Sequence, residues 1–342
     1  MKQSIYFRLV VMAIAVVMSI AVVQADEVAD FYSGRTLEVH VGYSPGGGYD
    51  TYARTLARHI GKHVPGNPSV VVRNVPGAGS LVLMNQIANT APRDGRVIGL
   101  VNSGIPFEPL FGNEQAQFNI EDVNWIGNLE LSVTIGAVNK RSGVESMEDL
   151  RTRSVTMGST GAGSNTNTIP RVIAELFDYN INVISGYSGS NDIVLAMERG
   201  EVDGMGSRFL SSLHATTPQW LEADSDIRIL YQLAPRRHPD IPDVPLLTEL
   251  ARDEATRQAA ELLGARMVMG RPVVAPSGIP EARLAALRKA VEDTTKDPEF
   301  LLDAANQGLF IEYVDPQSML EFYREIYTFD PEVVTRVEKA ME

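Results

Sequence analysis

From Thr36 onward the chain repeats one pattern: a short β-branched run, a glycine-bearing turn, then apolar residues at helical spacing. The runs TLEVHVGY, SVVVRNV, RVIGLVNS, TIGAVNK, SVTMGST, INVISGYS, IRILYQLA and ARMVMGRPVVAP read as strands. Helical periodicity predicts helices over Asp50–His63, Ser80–Asn89, Thr168–Leu176, Asn191–Arg199, Pro280–Thr295 and Pro316–Tyr327. Strands alternating with helices imply an α/β fold with parallel pairing. The turns SPGGGYD, VPGAGS, GSTGAGSN and GYSGSND all fall between the end of a strand and a helix. In open α/β sheets that edge is where ligands bind.

Two segments break the pattern. EDVNWIGNLELS follows a polar stretch with little periodicity, and APRRHPDIPDVPLLTEL is proline-rich and reads as an extended connection. The block between them has its own strands and helices, and the C-terminal helices return to the first unit. The expected organisation is a first domain of residues 26–127 and 250–342 and a second of 128–249, joined by two crossings with a cleft between. Residues 1–25 stand apart. Lys2 and Arg8 precede the apolar run LVVMAIAVVMSIAVV, which ends in Val23-Gln24-Ala25, the pattern of a secretory signal peptide cut after Ala25. As a membrane anchor the run is short of the ~20 residues a spanning helix needs. The mature protein is therefore expected in the periplasm.

Composition narrows the function further. The chain has no cysteine, which removes disulfides, thiolate chemistry and Cys-based zinc sites. Its 43 acidic against 30 basic residues argue against nucleic acid and against anionic membrane surfaces as partners. A small anionic ligand remains compatible, because it responds to the field inside its cleft.

The first glycine turn contains Gly42-Tyr43-Ser44-Pro45-Gly46, which spells the G-x-S-x-G of a hydrolase nucleophile elbow. The residue after such a nucleophile must donate its N–H to the oxyanion hole, and Pro45 has none. His214 and His238 lie in no recognisable motif. A secreted serine hydrolase using Ser44 is therefore disfavoured, and no catalytic residue is assigned. GGGYDT lacks the lysine of a phosphate-binding loop, so no nucleotide cofactor is expected. His59 and His63 have i,i+4 spacing, but HIGKH lacks the glutamate of H-E-x-x-H; they read as solvated, and no metal is expected. Asp50 reads as the N-cap of the first helix.

Anion capture fits the remaining features. A glycine turn at a helix N-terminus offers unpaired N–H donors and the positive end of the helix dipole. Ser44, Gly46, Gly47, Gly48 and Tyr49 form one such turn; Ser159, Thr160, Gly161, Gly163, Ser164 and Asn165 form another in the second unit. Two such loops in separate domains can face one carboxylate.

The series HVGYSPGGGYDTYARTLARHI, VVVRNVPGAGSLVLMNQIANTAPRDG, GSTGAGSN…AELF, GYSGSNDIVLAMERGEVDG and RPVVAPSGIPEARLAAL resembles the periplasmic receptors of tripartite tricarboxylate transporters, the Bug/TctC-like group, over nearly the whole mature chain. The resemblance implies a two-domain Venus flytrap of the type II periplasmic-binding class, non-enzymatic and working as a monomer. It also implies a small organic carboxylate held by the loops Ser44–Asp50 and Gly158–Asn165, partly through ordered water. Delivery to the permease subunits of a transporter is the implied role; some such receptors report instead to sensor or chemosensory partners. The chain departs from the group in two places. GSNTNTIPRVIAEL lacks the usual histidine and carries Pro170, which places the helix start near Ile169. In GEVDGMGSRF, Arg208 follows a strand-like segment at the ligand edge, where it would clamp a distal carboxylate; the alternative is an ion-paired surface arginine. Tyr187, Ser188 and Ser103 are further cleft candidates; Glu198, Glu201 and Asp203 make an acidic cluster whose glutamates read mainly as solvated helix-end acids.

Overall fold

A computed structural model describes residues 27–341. The signal peptide and its cleavage site lie outside the described residues. Ten strands form two five-stranded sheets. The first contains β1 (Thr36–Val41), β2 (Ser69–Asn74), β3 (Val97–Leu100), β4 (Val123–Asn128) and β10 (Pro272–Pro276), in the order β2-β1-β3-β10-β4. The second contains β5 (Thr134–Asn139), β6 (Val155–Ser159), β7 (Ile181–Ser185), β8 (Gly204–Phe209) and β9 (Ile227–Leu233), in the order β7-β6-β8-β5-β9. Both sheets follow one plan. Three strands run parallel (β2, β1, β3 and β7, β6, β8), and a fourth, β10 or β5, enters antiparallel beside them. The expectation of parallel pairing therefore holds for only part of each sheet. The two exceptions are the strands by which the chain arrives from the other lobe.

The helices pack on these sheets through their apolar faces. In α1 (Gly48–Ile60), Tyr52, Ala53, Leu56 and Ile60 recur on one side and are almost wholly buried. Helix α2 (Leu81–Asn89) follows β2, α3 (Asn165–Phe177) follows β6, and α4 (Ser190–Arg199) follows β7. All four begin at the sheet edges that face each other. Beyond them come α5 (Leu210–Thr216), α6 (Glu254–Val268), α7 (Glu281–Lys296), α8 (Pro298–Asn306), α9 (Pro316–Ile326) and α10 (Pro331–Lys339).

Several elements differ from the expected ones. EDVNWIGN holds β4, an edge strand that α7 and α9 cover, which explains why it carries apolar residues on both faces. ARMV belongs to α6, and the strand begins only at Pro272; a short apolar run does not separate strand from helix. Helix α3 starts at Asn165 with Pro170 in its interior, not near Ile169. Room for the proline ring comes from Gly206 in β8, where a Cβ would lie 2.6 Å from the ring carbons. Asp50 is not the N-cap, a position held by Gly47; it sits in the first turn and accepts from the Gly46 N–H at 2.8 Å.

The two crossings lie side by side. Leu131 and Met269 form an isolated antiparallel bridge, Gly270 N–H donates to Glu130 O (2.9 Å), and Leu129 N–H donates to Arg271 O (3.1 Å). The chain thus passes between the lobes through a paired two-strand strap.

Candidate functional site

The lobes are shut against each other. Ser44 N–H donates to Ser188 O (3.1 Å), Ser44 Oγ donates to Asp192 Oδ2 (2.9 Å), and Asn191 Nδ2 donates to Gly46 O (2.5 Å). Deeper in, Gly79 N–H donates to Thr160 O (3.0 Å) and Asn165 Nδ2 to Ser103 Oγ (2.7 Å). Behind this rim lies a cavity of about 50 Å³, several times the ~10–15 Å³ that one water takes. Gly47, Gly48 and Tyr49 line it from the start of α1, and Asn165 and Thr166 line it from the start of α3. The first main-chain bond of α1 is Thr51 N–H to Gly47 O (2.9 Å), and α3 begins with the Asn167 and Thr168 N–H groups on Ser164 O. The lining amides at 48, 49, 165 and 166 therefore precede any intrahelical acceptor and are directed to the helix mouth. Both helix dipoles place their positive ends there.

Two buried arginines complete the wall. Arg271, just past the second crossing, has a guanidinium enclosed by the rings of Tyr49 (4.2 Å), Phe209 (4.4 Å) and Tyr52 (4.6 Å). Its Nη2 donates to Ser212 Oγ in the opposite lobe (2.8 Å). Its Nε forms an ion pair with Glu130 Oε2 at 3.1 Å, without the alignment of a hydrogen bond, and both residues are fully buried. Burial disfavours the Arg271 charge, but Glu130 and Tyr49 more than restore it, leaving the group above its ordinary value. Arg208 is different. It is 3% exposed, donates through Nη2 to Thr216 Oγ1 (2.5 Å) and Thr217 Oγ1 (3.1 Å), and lies 5.2 Å from the Trp220 ring centre. Its Nε and Nη1 are buried without a partner, and no carboxylate among the described residues pairs with it. Burial first, and then the Arg271 cation, push its guanidinium down to about 10, which still leaves it charged at neutral pH. Arg208 is thus neither on the surface nor ion-paired.

Of the sixteen residues singled out from the sequence, Gly47, Gly48, Tyr49, Thr160, Asn165 and Arg208 line the cavity. Tyr49 does so with its ring, because its hydroxyl donates to Gly270 O (3.0 Å) and accepts from Ser103 N–H (3.0 Å). The others lie outside the lining. Ser44, Gly46 and Ser188 make the rim contacts given above. Asp50 is occupied by Gly46, Arg54 and Asn74. Ser103 accepts from Asn165. Ser159, Gly161 and Ser164 close their own turn, with Gly161 N–H on Ser159 Oγ (3.2 Å) and Ser164 Oγ on Gly161 O (2.8 Å). Gly163 packs near Ile105, and Tyr187 packs over Gly158 beside Ile193. Sequence reasoning missed Tyr43, Asn102, Thr166, Ser190, Ser207, Phe209, Ser212 and Arg271. Ser207 and Phe209 flank Arg208 on β8, so that strand edge was the readable signal for them. No local signal marks Arg271.

The elbow reading has no structural counterpart. Ser44 Oγ is committed to Asp192, and no histidine among the described residues bonds to it. His59 and His63 are not solvated as expected. Each meets an acid at 2.9 Å, His59 at Asp303 and His63 at Asp297, tying α1 and the turn after it to α8. His59, Asp297 and Glu299 come close enough to hold a cation, but the Lys62 ammonium already stands 2.5 Å from both carboxylates. Lys62 foremost, then His63, hold the Asp297 carboxyl far below its usual range. A depressed carboxylate contributes stability that is fully present above its unfolded value of about 3.9 and is lost as pH falls through the native value. Asp297→Asn, which keeps an N-cap for α8, should lower the melting temperature by a few degrees at pH 7. The gap should narrow steadily below about pH 4. Melting curves that stay parallel across that range would exclude the ion pair as the cause.

Two lobes of mixed sheet, a double crossing and an enclosed cationic cavity at facing helix N-termini define a periplasmic-binding-protein type of receptor. The family model described as "Tripartite tricarboxylate transporter family receptor" matches residues 52–337, and the chain belongs to that family. A curated relative is the UPF0065 protein in the gbd 5' region of Cupriavidus necator, 24% identical, with 94% of this chain and 93% of the relative covered. Among solved structures, the periplasmic binding protein BugD is similar at a TM-score of 0.73, with 19% identity over 90% of this chain and 98% of that one. MatC (Rpa3494) from Rhodopseudomonas palustris, solved with bound malate, gives a TM-score of 0.69, with 18% identity over 90% and 99% of the two chains. Rpa4515 from R. palustris, solved with adipate, gives 0.68, with 19% identity over 89% and 97%. The family is one of receptors, and the chain is a binding protein, not an enzyme.

Proposed function

We propose that the protein is a periplasmic receptor that closes on one small organic carboxylate and presents it to the membrane subunits of a tripartite tricarboxylate-type transporter. The observation that carries this reading is Arg208, a buried cation with no acid of the protein's own, facing the same cavity as two helix N-termini. Burying an unpaired charge is costly, and an acid cargo supplies the missing partner. The malate and adipate held by MatC and Rpa4515 support the ligand class, and the apolar N-terminal run with its Val23-Gln24-Ala25 end supports export. The lobes are taken as residues 26–127 with 250–342, and 128–249. The allotment of strands between the sheets agrees with the first limit, while the pairing of Leu131 with Met269 puts the return crossing near Met269 rather than at 250.

A thermal-shift screen of the mature protein against mono-, di- and tricarboxylates and aromatic acids tests the reading. A cargo that binds only the folded form adds RT ln(1 + [L]/Kd), about 2.7 kcal/mol at a hundredfold excess over Kd. For a protein of this size that corresponds to a rise of several degrees. Amines and sugars should give none. A screen in which a neutral or cationic solute stabilises the protein and no acid does would remove the proposal.

A further inference from the structure

Two charged residues line the cavity, and they spend their bonds differently. Arg208 stays within its own lobe, on Thr216, Thr217 and the Trp220 face, whereas Arg271 reaches across. The main chain of Arg271 is fixed to the first lobe: its N–H donates to Asn128 Oδ1 at 2.9 Å, and its carbonyl accepts from the Leu129 N–H at 3.1 Å. Its guanidinium rests on Tyr49 and Tyr52 of α1, also in the first lobe, and beside Glu130 on the neighbouring crossing. The remaining contacts belong to the second lobe. Phe209, at the end of β8, supplies a third ring at 4.4 Å, and Ser212 and Ser211 of α5 accept from Nη2 at 2.8 and 3.5 Å. Nη1 has no acceptor in the protein, so a donor is left over on a residue that lines the cavity. One flat cation thus meets a crossing, both lobes and the cargo space. Lobe separation would strip it of Phe209 and both serines while leaving its first-lobe contacts in place.

Building on the reading of this site as a carboxylate receptor, we propose that Arg271 is its closure latch: the side chain that couples the arrival of cargo to the meeting of the lobes. An anion in the cavity gives Nη1 its partner and holds the guanidinium where Nη2 reaches Ser212 and the Phe209 ring covers its face. Occupied and shut states share this one group, so binding shifts the population toward the shut form. The latch acts on whichever acid is bound, and the choice among acids falls to the rest of the wall.

Two variants test it. Ser212→Ala removes the acceptor in the second lobe and leaves Arg271 and Glu130 in place. Arg271→Lys keeps a cation beside Glu130 but gives up the planar fork. Calorimetric titration with each acid that stabilises the wild type should show both variants weakened about tenfold or more, by a similar factor for every acid. The double variant should bind within about threefold of Arg271→Lys alone, because the two residues act as a unit. Small-angle scattering in saturating acid should show incomplete contraction of each single variant, while ligand-free Ser212→Ala melts as the wild type does. Ser212→Ala protein that binds and contracts normally overturns the latch and leaves the receptor reading intact. So do single losses that multiply in the double variant, and losses confined to some of the acids. Wild type that binds no acid overturns the receptor reading as well. Should Arg271→Lys not fold, titration and scattering of Ser212→Ala decide by themselves.

Discussion

Arg208→Met is expected to weaken acid binding by about 100-fold or more and, in the same molecule, to raise the melting temperature of the ligand-free protein. The two effects share one cause. In the ligand-free cavity the guanidinium is held away from water by burial and is compensated only by two threonine hydroxyls and the Trp220 face. Methionine fills similar space without a charge, and replacing buried charges by apolar side chains of similar volume is often neutral or stabilising, by up to ~4 kcal/mol. With cargo present the balance reverses, because removing one partner of a buried, hydrogen-bonded ion pair costs ~2–5 kcal/mol. Affinity should fall by about 100-fold or more, while the apo melting temperature rises by a few degrees. Calorimetry and thermal melts on the same preparation read both quantities. Retained affinity would place the anion elsewhere in the cavity. A large drop in the apo melting temperature would show that the threonine bonds and the Trp220 contact outweigh the buried charge.

Gly48→Ala should act on closure instead. Gly48 is the first helical residue of α1, where alanine is the better helix former by ~1 kcal/mol, so the first lobe gains or keeps its stability. Across the cavity, however, the new Cβ would fall on Ser212 Oγ and stand 3.0 Å from Arg271 Nη2. Ser212 sits in the opposite lobe, so the clash exists only when the lobes meet. The expected result is an unchanged or higher melting temperature, a loss of affinity on the order of 100-fold (~2.7 kcal/mol), and a larger radius of gyration in saturating acid than wild type shows by small-angle scattering. A variant that still contracts and binds normally would mean that Ser212 rotates away at little cost.

Much of this was readable in the letters, for reasons that are local. Strand–turn–helix alternation is a matter of period, and both glycine turns at the cavity carry their chemistry within eight residues. Arg208 was readable because it lies on a strand leading to the ligand edge. The missed helices were readable too. Asp297-Pro298 and Asp330-Pro331 repeat the cap-and-proline start of Asp315-Pro316, and in each the aspartate caps the helix that follows. Other features are set by distance along the chain. Arg271 reaches Ser212, about sixty residues away, only because the second crossing delivers it to the cavity. Its partner Glu130 lies in a segment with no period of its own. Tyr49 and Ser103 looked like ligand hydroxyls, yet the Tyr49 hydroxyl is taken by Gly270 O and the Ser103 N–H, and the Ser103 hydroxyl by Asn165. A polar residue in a glycine turn declares its neighbourhood, not its partner.

The shut rim has a kinetic meaning. On the receptor reading, cargo enclosed behind Ser44, Ser188 and Asn191 would not leave by diffusion until those contacts part, and exchange would run at the pace of lobe separation. The mouth then governs how long an acid stays, and the interior governs which acid is taken. Ser44 and Gly46, which looked like carboxylate-holding residues of the first glycine turn and lie outside the cavity lining, become the timers of the device.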